Sequence, residues 1–466
     1  MKIKKWMVLF ACLVMLLSLS ACSKENSDDQ TDATEETAVA TTEAKTYDFD
    51  AEGIAQKFVE DFTSNKFDAL LSDYDYSDDM KAQFTKEAME EISAQLKKAY
   101  GSFEGTYGIK VQTKETFVIV SIGANHVDKD LAYNVVFSYE GQVSGFNYQE
   151  ISSVEDFFDS EIEGAIEKEV TFGTEDFPIS GTLSIPASGK ESYPVVVLVH
   201  GSGPNDRNES IYGNKPFKDI AEGLIKQDIA VLRYDKRTFT HLEKYNDPKI
   251  AAEFTIYDEV IDDAKAAVAF LKTERQIDSD KIYVAGHSLG GNQAPRIAEN
   301  NDDVAGLIIM AGNVTPLQDL IIKQYEYLLG IDGSLSDSDK SQLDTIKKAA
   351  DLISSDKLSL ETSPNDTMGL PAKYWMDIRD YNPADLAKSL DIPLLILQGA
   401  RDYQVSVDEF ELWKKGLGDD ATFKLYEDLN HLFMTGEGMS KPEEYTKAGS
   451  FDQTVIEDIA NWINNQ

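Results

Sequence analysis

The stretch that decides the fold is residues 281–291, which read KIYVAGHSLGG. An apolar run leads into Gly286, a serine stands at position 288, and a second glycine follows at Gly290. A Gly-x-Ser-x-Gly pattern between a strand and a helix is typical of a nucleophile elbow, where the glycines avoid a clash as the backbone folds back. We therefore predict that Ser288 is a nucleophile exposed on a tight turn.

Apolar runs and helical spacing alternate on both sides of this turn. Residues 194–199 (PVVVLV) have the continuous apolar character of a strand buried on both faces. A hairpin is predicted over residues 169–172 and 179–185. Further strands are predicted at residues 229–234, 282–285, 304–310, 393–397 and 422–426, and helices at residues 217–226, 257–273, 292–299, 407–417 and 453–462. The alternation predicts a mostly parallel sheet with helices on both faces and a site at the carboxyl ends of its strands.

A serine nucleophile needs a general base, and the histidines restrict the choice. Of the five histidines, His431 alone follows Ser288 in the chain. It stands in a predicted loop between a strand and the final helix, so we predict that it is the base. His287 is next to Ser288 on the tight turn and points elsewhere, so we predict a structural role for it.

The acid of such a site is expected between the serine and the histidine, after a strand. Asp402 follows the predicted strand at residues 393–397, so we predict that it holds the imidazole tautomer and stabilises the imidazolium. Asp391 precedes that strand and Asp428 is close to His431 in sequence, so both remain alternatives. Arg401 is predicted to form a structural salt bridge.

Hydrolysis through a tetrahedral intermediate also needs N–H donors for the oxyanion. Residues 200–204 (HGSGP) directly follow the apolar run, and their glycines allow a close backbone approach to a substrate. We predict the Leu289 amide as one donor and the Ser202 or Gly203 amide as the other. His200 is predicted to anchor this loop.

Together these motifs resemble the α/β-hydrolase superfamily over about residues 162–466, in which the nucleophile, acid and base follow one another as Ser288, Asp402 and His431 do. The stretches HGSGPNDRNE, AVLRYDKRT, YVAGHSLGG, APRIA and GLIIMAG are similar to bacterial serine esterases of the serine-aminopeptidase and prolyl-oligopeptidase branches. The resemblance implies carboxylesterase-like hydrolysis without metal or organic cofactor. A peptidase or amidase, a thioesterase or acyltransferase, and a non-catalytic envelope binding lipoprotein remain alternatives.

Residues 315–390 separate two predicted strands and contain helical stretches at residues 317–329 and 337–353. This insertion resembles the cap that many members of the superfamily place over the active site. Its Tyr374 and Trp375 either shape an acyl pocket or pack the cap onto the core.

Basic residues follow a predicted strand toward the same edge of the sheet. Arg233, Lys236 or Arg237, together with Arg207, is a candidate for recognising a substrate carboxylate. The alternative is that these side chains pair with nearby acids.

Residues 1–21 have the lysines, apolar stretch and small residues of a secretory signal. The sequence Leu-Ser-Ala-Cys at residues 19–22 resembles the lipobox of bacterial lipoproteins, which implies a lipid on Cys22 and an extracytoplasmic, membrane-anchored protein. Residues 22–50 are acidic, rich in Thr and poor in large apolar groups, which predicts a disordered tether.

Residues 51–150 show helical spacing followed by alternation with a period of two, which predicts a small α+β domain. The domain resembles cystatin-like or nuclear-transport-factor-like modules of unknown function that precede hydrolases in bacterial lipoproteins. We assign it no chemistry.

The 466 residues include 44 Lys and Arg against 83 Asp and Glu, which gives a formal net charge of −39. Nucleic acids and anionic lipid surfaces bind clustered Lys and Arg, so we do not expect either to attract this chain. Attachment to a membrane is therefore expected to depend on the lipid at Cys22. The natural substrate and the oligomeric state stay open.

Overall fold

The computed structural model describes residues 47–113, 117–151 and 162–466. These residues form two compact units that divide near residue 160. The predicted signal peptide, Cys22 and most of the predicted tether lie outside the described residues.

The first unit contains four helices followed by a four-stranded antiparallel sheet in the order β1-β2-β3-β4. Its helices are α1 (Ala51–Thr63), α2 (Phe67–Ser72), α3 (Asp78–Gln83) and α4 (Lys86–Tyr100), and its strands are β1 (Phe103–Thr113), β2 (Phe117–His126), β3 (Asp130–Ser138) and β4 (Val143–Ile151). Phe58 and Phe62 of α1 are buried against Val120 and Tyr133 of the sheet. The prediction of a small α+β domain is thus confirmed.

The spacing of apolar residues does not predict two short helices of this unit, α2 and α3. Each has six residues, which is less than two turns and too short for a helical period to stand out. The next helix begins at Lys86 because the Thr85 side chain accepts a hydrogen bond from the Ala88 amide and caps it.

The second unit is built on an eight-stranded sheet in the order β12-β11-β10-β9-β7-β8-β6-β5. Its strands are β5 (Ala165–Gly173), β6 (Pro178–Pro186), β7 (Tyr193–Val199), β8 (Ala230–Tyr234), β9 (Ile277–His287), β10 (Gly306–Met310), β11 (Leu394–Gly399) and β12 (Thr422–Tyr426). Strands β7 to β12 are parallel, and the β5-β6 hairpin joins β8 in antiparallel fashion. The predicted mostly parallel sheet is confirmed.

Helices cover both faces of this sheet. They are α5 (Pro216–Ile225), α6 (Arg237–Thr240), α7 (Pro248–Glu253), α8 (Asp262–Leu271), α9 (Leu289–Ala298), α10 (Leu317–Gly330), α11 (Asp337–Ile353), α12 (Ala372–Ile378), α13 (Pro383–Ser389), α14 (Val407–Leu417) and α15 (Gln453–Asn464). Along β7, Val195 and Val197 belong to one buried cluster while Val196 and Leu198 belong to another. This alternation explains the continuous apolar run, because each face of the strand has its own core.

Several elements differ from the sequence prediction at their ends; strand β9, for example, spans Ile277–His287 instead of residues 282–285. The helix predicted over residues 257–273 begins with a π-helical turn, Tyr257–Ile261, before α8. The helix after Ser288 begins at Leu289 instead of residue 292, so the serine stands directly at its start.

Helices α10 to α13 lie in the predicted insertion between β10 and β11, and the two predicted helical stretches are α10 and α11. Helix α10 contacts the loop after β11: the Tyr327 and Tyr403 rings stack with centroids 4.7 Å apart, and the Gln324 side chain donates a hydrogen bond to the Gln404 carbonyl. In the part of the chain that the structure describes, we find no helix with the length and apolar character that a membrane crossing requires.

Candidate active site

The backbone at Ser288 forms a sharp turn between β9 and α9. Ser288 has φ 53° and ψ −117°, a conformation that is unfavourable for any residue with a side chain, and its amide donates to the Met310 carbonyl at 2.9 Å. A Cβ atom on Gly286 would lie 2.2 Å from the Gly290 carbonyl oxygen, and one on Gly290 would lie 2.3 Å from the Val199 carbonyl oxygen. Glycine is therefore required on both sides of the serine.

Asp402 and His431 meet in the protein interior. His431 Nδ1 lies 2.6 Å from Asp402 Oδ2, and both side chains are buried. Asp402 also accepts hydrogen bonds from the Gln404 and Val405 amides at 2.7 and 3.1 Å and from the Gln398 side chain at 3.3 Å. These contacts fix the carboxylate and, through it, the imidazole ring.

The two alternative acids are placed differently. Among the described residues, His431 contacts Asp402 and forms no hydrogen bond with Asp391 or Asp428. The Asp391 and Asp428 side chains are both exposed, so neither has the buried environment that holds Asp402.

His431 is held next to the serine turn through its backbone. His287, the residue before Ser288, has its Nε2 atom 2.9 Å from the His431 carbonyl oxygen, and the two imidazole centroids are 4.7 Å apart. Within the described residues the Ser288 hydroxyl forms no hydrogen bond. Such a contact is often long in serine hydrolases without substrate and tightens when substrate binds.

Residues 200–204, which we term the oxyanion loop, pack against the serine. A Cβ atom on Gly201 would lie 3.2 Å from Ser288 Cβ. The Gly203 amide donates to Glu259 Oε1 at 2.9 Å, so it already has an acceptor and is not available to an oxyanion. Of the predicted donors, the Leu289 and Ser202 amides are the ones without an acceptor among the described residues.

Two buried carboxylates of this site were not found from the sequence. Glu209 accepts a hydrogen bond from the Gly201 amide at 2.6 Å, and Glu259 accepts one from Gly203. They lie 8 and 56 residues from the amides that they bind, and neither belongs to a recognisable motif. His200 anchors the loop as expected, because its Nε2 atom lies 2.9 Å from the Asp206 carbonyl oxygen.

The structure contradicts the expectation that Arg237 recognises a substrate. Its guanidinium is buried and contacts Asp263 Oδ1 through Nε at 2.9 Å and Nη2 at 2.5 Å. The other candidates are also paired with acids: Arg207 with Asp235 and Glu169, Arg233 with Glu167, and Lys236 with Glu259. The alternative reading from the sequence, ion pairs with nearby acids, is the correct one.

Tyr374 and Trp375 on α12 pack the insertion onto the core and do not line an open pocket. Trp375 is fully buried and its indole N–H donates to the Thr367 carbonyl at 2.7 Å. The Tyr374 hydroxyl donates to Glu259 Oε2 at 2.7 Å, and its ring stacks on Phe254. Of the two roles that the sequence leaves open for these residues, the structure supports packing and not an acyl pocket.

Comparison with known proteins gives matches to both units. The family of serine aminopeptidases (S33) matches residues 191–437, and a family described as protein of unknown function (DUF3887) matches residues 55–146. Esterase EstD of Thermotoga maritima is 36% identical over 416 residues, which cover 87% of this chain and 93% of the esterase.

Solved structures of lower similarity also match. Est1E from Butyrivibrio proteoclasticus is 16% identical, with 64% of this chain and 99% of that chain covered and a TM-score of 0.42. The acylaminoacyl peptidase of Pyrococcus horikoshii is 12% identical, with 79% and 56% covered and a TM-score of 0.43.

The sheet order, the serine turn, the family match and the esterase relative define the class of the protein, which is an α/β-hydrolase. Within that class the chain belongs to the serine aminopeptidase (S33) family. The membership and the esterase relative together confirm the prediction of a carboxylesterase-like hydrolase.

Replacing Arg237 by Ala leaves Asp263 as a buried carboxylate without its partner. We expect the free energy of unfolding of the full-length protein to fall by about 3–5 kcal/mol, measured by urea denaturation. The Lys226→Ala control removes an exposed charge and should change it by less than about 0.5 kcal/mol. Residual activity should fall equally on neutral and carboxylate-bearing esters. A loss confined to the carboxylate-bearing esters would restore the recognition role of Arg237.

Proposed function

We propose that the protein hydrolyses carboxylic esters through an acyl-enzyme intermediate on Ser288, with His431 as general base and acid and Asp402 as the supporting acid. The observation that carries this proposal is the buried contact of 2.6 Å between His431 Nδ1 and Asp402 Oδ2. It fixes the imidazole with Nε2 available for proton transfer, beside the turn that presents Ser288.

In the first half of the reaction, His431 Nε2 takes the proton of the Ser288 hydroxyl while Ser288 Oγ attacks the ester carbonyl carbon. The amides of Leu289 and Ser202 stabilise the negative charge that forms on the carbonyl oxygen. The tetrahedral intermediate then collapses, the bond to the alcohol breaks, and His431 returns its proton to the leaving alcohol.

In the second half, water attacks the acyl-serine. His431 takes a proton from this water, the same two amides stabilise the new oxyanion, and the proton passes to Ser288 Oγ as the acid product leaves. Asp402 accepts the hydrogen bond from His431 Nδ1 and stabilises each imidazolium that forms.

Two classes of substrate are compatible with this chemistry. The curated relative is an esterase, while the matching family is described by an aminopeptidase activity. An amide needs more protonation of its leaving group than an ester, but it uses the same residues. A panel of acyl esters, aminoacyl anilides and thioesters, assayed with the full-length protein, separates these possibilities. Hydrolysis of anilides in preference to esters would reassign the protein as a peptidase.

A fluorophosphonate probe tests for the activated serine. We expect the wild-type protein to be labelled and Ser288→Ala to be unlabelled, because the probe reacts with a serine that a general base has activated. Ser359→Ala, which changes an exposed serine in the insertion, is the matched control and should be labelled like the wild type. Absence of labelling in the wild type would favour the non-catalytic envelope binding protein.

The Asp402→Asn variant tests the assigned acid. It keeps the shape of the side chain but loses the charge that stabilises the imidazolium, so we expect kcat for ester hydrolysis to fall by about 10⁴-fold. Asp391→Asn and Asp428→Asn change the two exposed alternative acids and should leave kcat within about twofold of the wild type. A large loss in either control would move the role to that residue.

We also propose that the protein is anchored outside the cytoplasm by lipid on Cys22. The support is the sequence alone: a basic start, an apolar stretch and Leu-Ser-Ala-Cys at residues 19–22. Two acyl chains on one residue give stable membrane attachment, whereas a single chain gives marginal binding.

Expression of the full-length protein in a bacterial host tests this anchor. We expect the wild type to incorporate radiolabelled palmitate and to enter the detergent phase of Triton X-114, and Cys22→Ala to do neither. Cys12→Ala lies in the predicted signal and serves as the control that keeps the lipid. A Cys22→Ala protein that still incorporates palmitate would contradict the assignment.

A further inference from the structure

Two buried side chains outside the triad connect the loops on either side of Ser288. Glu209 Oε1 accepts a hydrogen bond from the Gly201 amide at 2.6 Å, and Glu209 Oε2 lies 2.9 Å from His287 Nδ1. The other ring nitrogen, His287 Nε2, lies 2.9 Å from the His431 carbonyl oxygen. One path of contacts therefore runs from the oxyanion loop to His431.

The partners of His287 determine its protonation. The His431 carbonyl oxygen can only accept a hydrogen bond, so Nε2 carries a proton, whereas the contact of Nδ1 with Glu209 Oε2 has the distance of an ion pair without the alignment of a hydrogen bond. Glu209 is 3% exposed and His287 is 5% exposed, so a ring neutral at Nδ1 would place a nitrogen lone pair 2.9 Å from a buried carboxylate oxygen. The geometry therefore favours a buried imidazolium paired with a glutamate.

The electrostatic surroundings act in the same direction. Burial alone lowers the pKa of His287, but the charge and contact of Glu209 outweigh burial and raise that pKa above its usual 6.5. Burial alone raises the pKa of Glu209, but His287 outweighs it and brings that pKa below its usual 4.5. Each group thus favours the charged form of the other.

Other titratable groups face this pair from the neighbouring loops. Asp402 adds to the rise in the pKa of His287, and the His431 ring lies beside the His287 ring. Burial, with a smaller contribution from the charge of Lys236, lowers the pKa of His200 to about 4, although Glu209, which it faces, opposes this shift. His200 is therefore neutral at neutral pH, which leaves His287 as the cation that pairs with Glu209.

We propose that Glu209 and His287 form a positioning ion pair. The pair holds the oxyanion loop and the backbone of His431 in fixed positions relative to Ser288. Glu209 holds the Gly201 amide, which fixes the orientation of the next amide, that of Ser202. His287 holds the His431 backbone at the same time. This role rests on the proposed function, since it serves the amides and the base of that reaction.

The pair has a defined pH window. His287 is charged below its raised pKa. Its contribution to the stability of the ion pair is therefore complete at pH values below 6.5 and is lost as the pH rises through the raised pKa. Glu209 contributes fully at pH values above 4.5, its usual pKa, and loses its charge only as the pH falls through its lowered pKa. We therefore expect an alkaline limb in the pH dependence of kcat that reports His287.

Two conservative variants of the full-length protein test the pair. In Glu209→Gln the amide oxygen still accepts from Gly201, but the negative charge that holds the proton on His287 is gone. In His287→Gln the side chain still donates to the His431 carbonyl but cannot be charged. His241→Gln is the matched control, because His241 is equally buried and contacts the Pro178 carbonyl oxygen instead.

We expect kcat to fall by about 10-fold to 100-fold in Glu209→Gln and His287→Gln, with KM changed by less than about threefold, because positioning is needed in the transition state. The alkaline limb should move to lower pH in Glu209→Gln and disappear in His287→Gln. If the two residues had a purely structural role, the alkaline limb would stay at the same pH in both variants. His241→Gln should keep the kcat and pH profile of the wild type.

Nitrogen-15 NMR of the histidine rings gives a readout that needs no turnover. In full-length Ser288→Ala protein at pH 6, below the usual histidine pKa of 6.5, both ring nitrogens of His287 should be protonated, with the signal assigned by its loss in His287→Gln. A neutral His287 ring, or an alkaline limb that is unmoved in both variants, would overturn the ion pair while fluorophosphonate labelling still stood. Absence of labelling would instead overturn the proposed function, and the positioning role with it, even if His287 were charged.

Discussion

The close approach of three backbone segments around Ser288 is the constraint on which the site depends. The end of β7, the turn after β9 and the start of α9 come so near one another that a methyl group on Gly286 or Gly290 would overlap carbonyl oxygens. This contact forces the positive φ at Ser288 and brings the oxyanion loop beside it. The strain is tolerated because parallel strands buried on both faces hold each segment in place.

Much of the fold can be predicted from the spacing of apolar residues and from turn residues in the sequence. Helix α14 and strand β12 have the predicted bounds, because apolar spacing and turn residues agree at both ends. The short helices α2 and α3 and the π-helical turn Tyr257–Ile261 do not follow, since no period can be read from so few residues. Those elements depend on tertiary packing.

The site also contains residues that the sequence predicts and residues that it does not. Ser288, Asp402 and His431 were assigned from motif and strand order, and the structure places the last two in contact. Glu209 and Glu259 could not be assigned, because the amides that they bind are not specified by any local pattern. The sequence leaves the role of Arg237 open between substrate recognition and an ion pair for a related reason: its partner Asp263 is 26 residues away, and only folding brings the two charges together.

The contacts of α10 have a consequence for changes made to the insertion. Tyr327 stacks on Tyr403 and Gln324 binds the Gln404 carbonyl, so the insertion rests on the loop that carries Asp402. An insertion taken from another hydrolase would have to supply groups that contact Tyr403 and Gln404. Without them, the loop after β11 would lose these two contacts. Substitutions in α10 that remove these contacts would therefore also disturb the loop that positions Asp402, although α10 is distant from it in sequence.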